Sequence, residues 1–146
     1  EVNNTQKPVI LSTGMSTNQQ IGCAVNILSK TQYILACTSS YPTPPNEVNL
    51  NYITYLKSTY YNHKIGFSNH CSSLLACLSA CALGAEMIEF HVSLDRCMYG
   101  SDQASSIDHP KQLADGIRKI EQMRGGGNKI VYPSEIEIMK KLRKQT

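Results

Sequence analysis

The stretch KIGFSNH (64–70) decides how the rest of the chain is interpreted. It has the composition of a strand, and it ends in polar residues of the kind that bind phosphate, metal or sugar. The same pattern recurs in three other segments, which are VILST (9–13), YILACTSSYP (33–42) and MIEFHVSLD (87–95). Polar side chains gathered at the carboxyl ends of successive strands are the way in which a (β/α) barrel builds an active site.

A helix is predicted after each of these strands, from cap residues and from apolar positions at helical spacing. The predicted helices cover about 17–30, 50–61 and 73–83, and a fourth runs from Asp108 and Pro110 to the glycines at 125–127. The fold class is therefore α/β, built from TIM-barrel-type (β/α) units. A closed barrel needs about 250 residues, whereas this chain has 146. We therefore expect about four of the eight units, which is a half-barrel.

The C-terminal residues predict one more strand and one more helix. KIVY (129–132) is strand-like, and Ser134 and Glu137 have the spacing of a capping box that would begin a terminal helix. Basic residues such as Lys140 gather only in this helix, where the helix dipole favours them near the C-terminus. With a net charge of only +3, we expect no binding to nucleic acid.

Cysteine usage and hydropathy bear on the cellular compartment. The six cysteines form no C-x-x-C pair, which favours a reducing compartment over a disulfide framework. Cys77 and Cys81, one helical turn apart, are expected to be packed thiols without a redox role. No segment reaches the roughly 20 apolar residues of a bilayer span, and EVNNTQKP (1–8) has neither the basic nor the apolar region of a secretion signal. We expect a cytoplasmic protein with no membrane contact.

Two histidines occupy equivalent points of neighbouring units. His70 ends one predicted strand and His91 lies near the end of the next, so adjacent barrel strands would bring both imidazoles to one rim. Two neutral imidazoles suit a divalent transition metal. Glu89 is expected to point to the same side as His91, since it lies two residues before it on a strand. A lone strand-end histidine is more often a hydrogen-bonded structural residue, and it is the matching positions that favour the metal interpretation.

Three serines also fall at strand ends, namely Ser12, Ser39 and Ser68. Hydroxyls and backbone N–H groups at a barrel mouth are natural ligands for a phosphate or a carboxylate. Each serine is a weak signal alone, because serine is common in turns, but their recurrence in three successive units predicts an anion pocket.

Five ordered motifs resemble those of the sialic acid synthases, over about residues 7 to 135. They are VILSTGM, CTSSYPTP, IGFSNH, ALGAEMIEFHVSLDR and MYGSDQASS. They are similar to the second half of that family's barrel. The resemblance implies a carbon–carbon bond-forming transferase that condenses phosphoenolpyruvate with N-acetylmannosamine, or a related aminosugar, and releases phosphate.

The resemblance also implies roles for individual residues. His70 and His91 match the metal-binding pair, the metal being Mn²⁺ or Mg²⁺, and Glu89 matches the acidic residue of the same catalytic centre. Ser12, Ser39 and Ser68 match positions that hold phosphoenolpyruvate, while Tyr41 and Asp102 match positions that contact the sugar. The acceptor sugar stays open, because precursors of legionaminic or pseudaminic acid fit equally well.

Residues 1–146 correspond to a partial barrel domain, without the C-terminal antifreeze-like domain found in members of the family. The first four strands of the barrel are also absent from the chain. Unpaired strand edges favour association, so we expect self-association or a complementary N-terminal half-barrel as partner. The alternative is a catalytically inactive fragment or interaction module that retains the fold.

Overall fold

The computed structural model describes residues 1–95 and 97–143, so that Arg96, the last residue of one motif, lies outside the described residues. Four parallel strands form one sheet in chain order. They are β1 (Val9–Ser12), β2 (Thr31–Cys37), β3 (Lys64–Asn69) and β4 (Ile88–Phe90). The predicted alternation of strands and helices is confirmed, and it gives half of a TIM-type barrel with β1 and β4 as its edges.

Helices follow the strands as predicted. They are α1 (Asn18–Ile27), α2 (Asn51–Thr59), α3 (Leu74–Ala82), α4 (Ser101–Ala104), α5 (Pro110–Met123) and α6 (Pro133–Leu142). The cap predicted at Thr17 is present, since its hydroxyl accepts from the Gln20 N–H at 3.3 Å and Gln20 Oε1 accepts from the Thr17 N–H at 2.8 Å. The short helix α4 was not predicted. Within the described residues, no helix is long and apolar enough to cross a membrane.

The hydrophobic core lies between the helices and the outer face of the sheet. Alternate residues of β2 and β3 point outward and meet one face of each covering helix. The core residues include Ile34, Ile53, Leu56, Ile65, Phe67, Cys77, Ala80 and Leu113. Cys77 and Cys81 are buried in α3, as the small-residue pattern of that helix predicted.

The inner face of the sheet is open, because the other half of a barrel is not in this chain. Ile10 on β1 is 51% exposed there. Leu35 is nevertheless fully buried, since its side chain lies over Gly66, its register partner on β3. A Cβ on Gly66 would collide with the Leu35 side chain and would come within 2.8 Å of the Met87 carbonyl oxygen. This close approach requires glycine.

The strands are shorter than predicted at their carboxyl ends. The predicted segment 33–42 is a strand only to Cys37, and the segment 87–95 only over Ile88–Phe90. The last pair of β3 and β4 joins Asn69 to Phe90, so β4 has no described partner strand beyond that point. His91 therefore begins a loop and does not lie within a strand.

Two C-terminal predictions are wrong. Residues 129–132 form no strand, because they lie exposed and pair with neither edge of the four-stranded sheet. The capping box is not formed by Ser134 and Glu137. Helix α6 instead begins at Pro133, and the Glu135 side chain accepts a 2.8 Å hydrogen bond from the Tyr132 N–H. Proline is favoured at a first helical position, and this places the start of the helix before Ser134.

Candidate active site

The carboxyl ends of β2, β3 and β4 bring the predicted chemistry together. Cys37 pairs with Ser68, and Ser68 with Glu89, so these three residues form one row on the inner face. His70 follows Ser68 and His91 follows Glu89 by two residues, so both histidines lie just beyond the ends of their strands. Their imidazole rings lie 5.1 Å apart between centroids and are tilted by 33°. The expectation that both histidines reach one rim matches this geometry.

Tyr41 packs against both histidines. Its ring centroid lies 4.2 Å from that of His70 and 5.9 Å from that of His91. The pKa of the Tyr41 phenol is raised, first by burial and then by the negative charges of Cys37, Asp102 and Glu89, while a hydrogen bond with Ser39 lowers it. The phenol therefore keeps its proton to a higher pH than an ordinary tyrosine and can act as a hydroxyl donor. Asp102, the other predicted sugar contact, is among the charged groups that raise this pKa.

The tautomer of His70 follows from its hydrogen bond. Nδ1 lies 2.9 Å from the backbone oxygen of Thr38. A carbonyl oxygen can only accept, so a neutral His70 carries its proton on Nδ1 and keeps a lone pair on Nε2. The Cys37 Sγ is also near Nδ1, at 3.7 Å. An imidazole with one nitrogen tied to a carbonyl and the other free is the usual arrangement of a metal ligand.

Glu89 is held by a neighbouring strand. The Ser68 hydroxyl donates to Glu89 Oε1 at 2.7 Å. Ser68 is 2% exposed, whereas Glu89 is exposed on the open inner face. The geometry therefore gives Ser68 a role in orienting the carboxylate. Its predicted contact with phosphoenolpyruvate stays a prediction.

The other two serines, Ser12 and Ser39, lie at different positions along the strand direction. Ser12 pairs with Leu35, one row below Cys37 and Ser68. Ser39 lies two residues beyond Cys37, and its Oγ is 3.6 Å from the Cys37 Sγ. The register therefore does not place the three serines in one row. In the described part of the chain, no side-chain hydrogen bond links Ser12 to the cluster around His70.

The loop after β4 places His91 and Asp102. The Ile107 N–H donates to the His91 carbonyl oxygen at 2.9 Å, which folds the residues after α4 back onto the end of β4. The hydroxyls of Ser93 and Ser106 lie 2.7 Å apart and close the same loop. Asp102 lies exposed in the first turn of α4.

The residues present fit two ligands of a divalent cation. The neighbouring imidazoles of His70 and His91, with the Nε2 lone pair of His70 free, suit a transition metal. The structure brings no three His, Cys, Asp or Glu side chains of the described residues into a cluster that could hold a metal ion. Any further ligands would be water or substrate oxygens, and the metal site stays a prediction.

Sequence reasoning missed three residues of this site, which are Cys37, Thr38 and Thr43. Cys37 has a detectable signal, because it alternates with Leu35 along β2 and shares the inner face with it. Thr38 acts through its backbone oxygen, and Thr43 through bonds made by a folded loop. Neither of those contacts has a signature in residue type or spacing.

The family model for the NeuB family matches residues 1–129. An uncharacterized protein of Methanocaldococcus jannaschii is 44% identical over 150 residues, which cover 99% of this chain and 44% of that protein. The N,N'-diacetyllegionaminic acid synthase of Campylobacter jejuni is 38% identical over 146 residues, which cover 94% of this chain and 43% of the synthase. The chain thus spans less than half the length of these curated relatives.

A solved structure is similar over nearly the whole chain. It is the crystal structure of an N-acetylneuraminic acid (sialic acid) synthetase from Leptospira borgpetersenii in complex with citrate. It matches with a TM-score of 0.75 at 36% identity and covers 97% of this chain and 52% of the synthetase.

Proposed function

The chain belongs to the NeuB family, and we propose that it is the half-barrel of a nonulosonic acid synthase that carries the reacting groups. In the proposed reaction, the enol carbon of phosphoenolpyruvate bonds to the aldehyde carbon of N-acetylmannosamine or a related aminosugar. Water is taken up and inorganic phosphate leaves. The observation that carries the proposal is the packing of Tyr41 against His70 and His91, with centroid distances of 4.2 and 5.9 Å.

His70 and His91 would hold the divalent cation, as Mn²⁺ or Mg²⁺. A cation bound there would supply Lewis acidity toward the sugar aldehyde. His70 suits this role, because the Thr38 carbonyl accepts from its Nδ1–H at 2.9 Å and the lone pair is then on Nε2. Aldehydes and waters are the neutral oxygen ligands that such a site leaves room for.

Glu89 is the proposed acid–base group of the centre. The hydrogen bond from Ser68 at 2.7 Å holds the carboxylate on the inner face. A carboxylate fixed at this point can accept or return a proton as the aldehyde oxygen and the attacking water change charge.

Substrate contacts are assigned to the surrounding hydroxyls and to one acid. Ser39 and Ser68 at the rim, with Ser12 one row below, are proposed to hold the phosphate and carboxylate of phosphoenolpyruvate. Tyr41, a phenol that stays protonated at neutral pH as tyrosine ordinarily does, and Asp102 are proposed to bind the hydroxyls of the sugar. The relatives named for sialic and legionaminic acids support the substrate class but leave the acceptor sugar open.

The partner is proposed to be a complementary N-terminal half-barrel. β1 and β4 are edge strands, and Ile10 on the inner face is 51% exposed. A second half-barrel would pair both edges and cover this face, as barrel closure requires. Self-association of this chain is the other arrangement that would pair the edges.

A non-catalytic interaction module is the second candidate. The observation that favours it is the lack, among the described residues, of a third protein ligand beside the two histidines. Such a module would keep the fold and the pair of histidines but would not catalyse the condensation.

Phosphate release separates the two candidates. The protein is combined with the N-terminal half of the Leptospira borgpetersenii synthetase, and phosphate is measured with phosphoenolpyruvate, N-acetylmannosamine and Mn²⁺. We expect release that requires both substrates and the cation. Precursors of the legionaminic and pseudaminic acids serve as further acceptors. If no acceptor gives phosphate even with the added half-barrel, the synthase proposal is wrong and the interaction module is favoured.

A further inference from the structure

The loop after β2 folds back onto the end of β3 through one buried residue, Thr43. Its backbone N–H donates to the His70 carbonyl oxygen at 2.9 Å. Its hydroxyl lies 2.8 Å from the Ser40 carbonyl oxygen and 3.1 Å from that of Thr38. Thr43 is only 4% exposed, so these bonds are shielded from solvent.

These contacts form a closed ring with the His70 imidazole. The Thr38 carbonyl oxygen accepts from His70 Nδ1 at 2.9 Å and also lies within reach of the Thr43 hydroxyl. The Thr43 N–H, in turn, holds the backbone of His70. One residue thus fixes both the main chain of His70 and the carbonyl that decides where its ring carries a proton.

We propose that Thr43 is a positioning residue that keeps His70 in the Nδ1–H tautomer, in which Nε2 carries the lone pair. A competing hydrogen-bond donor lies close to the same nitrogen. Cys37 Sγ lies 3.7 Å from Nδ1, and its S–H can donate to that nitrogen when the ring proton moves to Nε2. The Thr38 carbonyl, held in place by Thr43, excludes this arrangement, since at 2.9 Å it requires a donor on Nδ1.

Water cannot take over the role of the Thr43 hydroxyl. Thr43 is only 4% exposed, and isosteric valine opens no space that a water molecule could enter. Replacing threonine by isosteric valine therefore leaves the Thr38 and Ser40 carbonyls without that donor. Loss of a buried partner costs more than the bond itself contributes, so the loop is expected to shift.

The catalytic consequence rests on the proposed function, since a ring protonated on Nε2 would present no lone pair to a cation at the mouth. The tautomer itself is independent of activity. It is read at pH 8 from the long-range ¹H–¹⁵N spectrum of the ¹⁵N-labelled protein, in which the two tautomers give different nitrogen shifts. The His70 signals are assigned by their loss in His70→Asn.

The variants are Thr43→Val, Thr43→Ser and a matched control, Thr31→Val. The Thr31 hydroxyl also donates to a carbonyl three residues earlier, that of Leu28 at 3.0 Å, but at the opposite end of β2. We expect the Nδ1–H form alone in the unsubstituted protein, in Thr43→Ser and in Thr31→Val, and a shift toward the Nε2–H form in Thr43→Val. Mn²⁺ affinity should fall about ten- to hundred-fold in Thr43→Val alone.

A folded Thr43→Val protein that keeps the Nδ1–H form alone would overturn the inference, whatever the activity. If Thr43→Val does not fold, Thr43→Cys, which differs from Thr43→Ser only in having a weakly donating thiol in place of the hydroxyl, is read in the same way. A failure of phosphate release with the expected tautomer change would count against the proposed function and not against the role of Thr43.

Discussion

Ser68 and Glu89 are register partners on neighbouring strands and are joined by a 2.7 Å hydrogen bond from the serine hydroxyl to the carboxylate. Because Ser68 is buried and Glu89 is exposed, the bond orients the Glu89 carboxylate from a fixed position on β3. The row that they share ends two residues before His70 and His91. A substitution of Ser68 on β3 should therefore change the rate of any reaction that uses Glu89 on β4.

Ser68→Ala tests this relationship. In the protein combined with an N-terminal half-barrel, we expect kcat for phosphate release to fall about ten- to hundred-fold, as is typical when a partner of a catalytic group is removed. The free energy of unfolding should fall by only about 1 kcal/mol, the usual contribution of one hydrogen bond. Ser58→Ala is the control, since its hydroxyl donates to the Tyr55 carbonyl on the exposed side of α2. An unchanged kcat in Ser68→Ala would show that Glu89 needs no such support.

Tyr41→Phe separates the ring of Tyr41 from its hydroxyl. The ring packing on His70 at 4.2 Å is kept, so the fold and the histidine pair should be unaffected. The lost hydroxyl should raise KM for the aminosugar about tenfold, which corresponds to one net hydrogen bond. Steady-state kinetics with varied sugar measure this, with Tyr61→Phe at an 80% exposed position as control. Equal KM values in both variants would remove Tyr41 from the sugar site.

Gly66→Ala should destabilise the fold by about 1–3 kcal/mol, the range for overpacking a close contact. The added Cβ meets the Leu35 side chain and lies 2.8 Å from the Met87 carbonyl oxygen. Gly126→Ala is the matched control, since nothing lies within 4 Å of its position. Both substitutions reduce the freedom of the unfolded chain alike, so the difference between their urea midpoints isolates the contact. Identical midpoints would mean that the Leu35 side chain and the neighbouring backbone can shift to accommodate the added Cβ at little cost in free energy.

Cys77 should resist thiol reagents in the folded protein. Burial, with a smaller effect of Cys71, raises the pKa of the Cys77 thiol to about 12. The thiolate is the reactive form, so iodoacetamide at pH 8 should label the exposed Cys23 and Cys97 and spare Cys77. Mass spectrometry after labelling measures this, and urea should abolish the protection. Labelling of Cys77 at the rate of Cys23 without urea would contradict the burial.

The raised pKa of the Cys77 thiol makes the free energy of unfolding depend on pH. Its folded-state pKa lies above the unfolded value, so the unfolded chain loses this proton first as the pH rises. The stabilisation that the protonated Cys77 thiol gives the folded protein is therefore complete below about pH 9. It is lost progressively toward about pH 12. Urea unfolding across this range should show a shallower decline in Cys77→Ala than in the unsubstituted protein. Parallel curves would mean that other groups determine the decline.

Much of the fold could be predicted from the sequence, because strand composition followed by capped, periodic helices depends on local physics. Thr17 caps its helix as its residue type predicted, and the helix predicted from about Ser73 begins at Leu74 with Ser73 as its cap. The meeting of His70 and His91 could also be predicted, since equivalent ends of adjacent parallel strands share one edge. Residues 129–132 show where this reasoning fails. Their composition suits a strand, but a strand forms only where it pairs with a neighbouring edge.

The finer geometry of the site depends on register, which residue spacing alone does not supply. Ser12, Ser39 and Ser68 look equivalent in the sequence, yet β1 is offset so that Ser12 pairs with Leu35 and not with Cys37. The bond between Ser68 and Glu89 likewise requires that these two residues be opposite each other. Thr43 reaches His70 only because the loop after β2 folds back.

The most direct test of the account is the rate of phosphate release from the combined half-barrels when each histidine of the pair is replaced. The central claim is that His70 and His91 act as one catalytic centre. His70→Ala and His91→Ala should each lower kcat at least about a hundredfold, as the loss of an essential catalytic group does. His109→Ala, at the exposed start of α5, should leave the rate unchanged. A His91→Ala protein with the unsubstituted rate would contradict the claim.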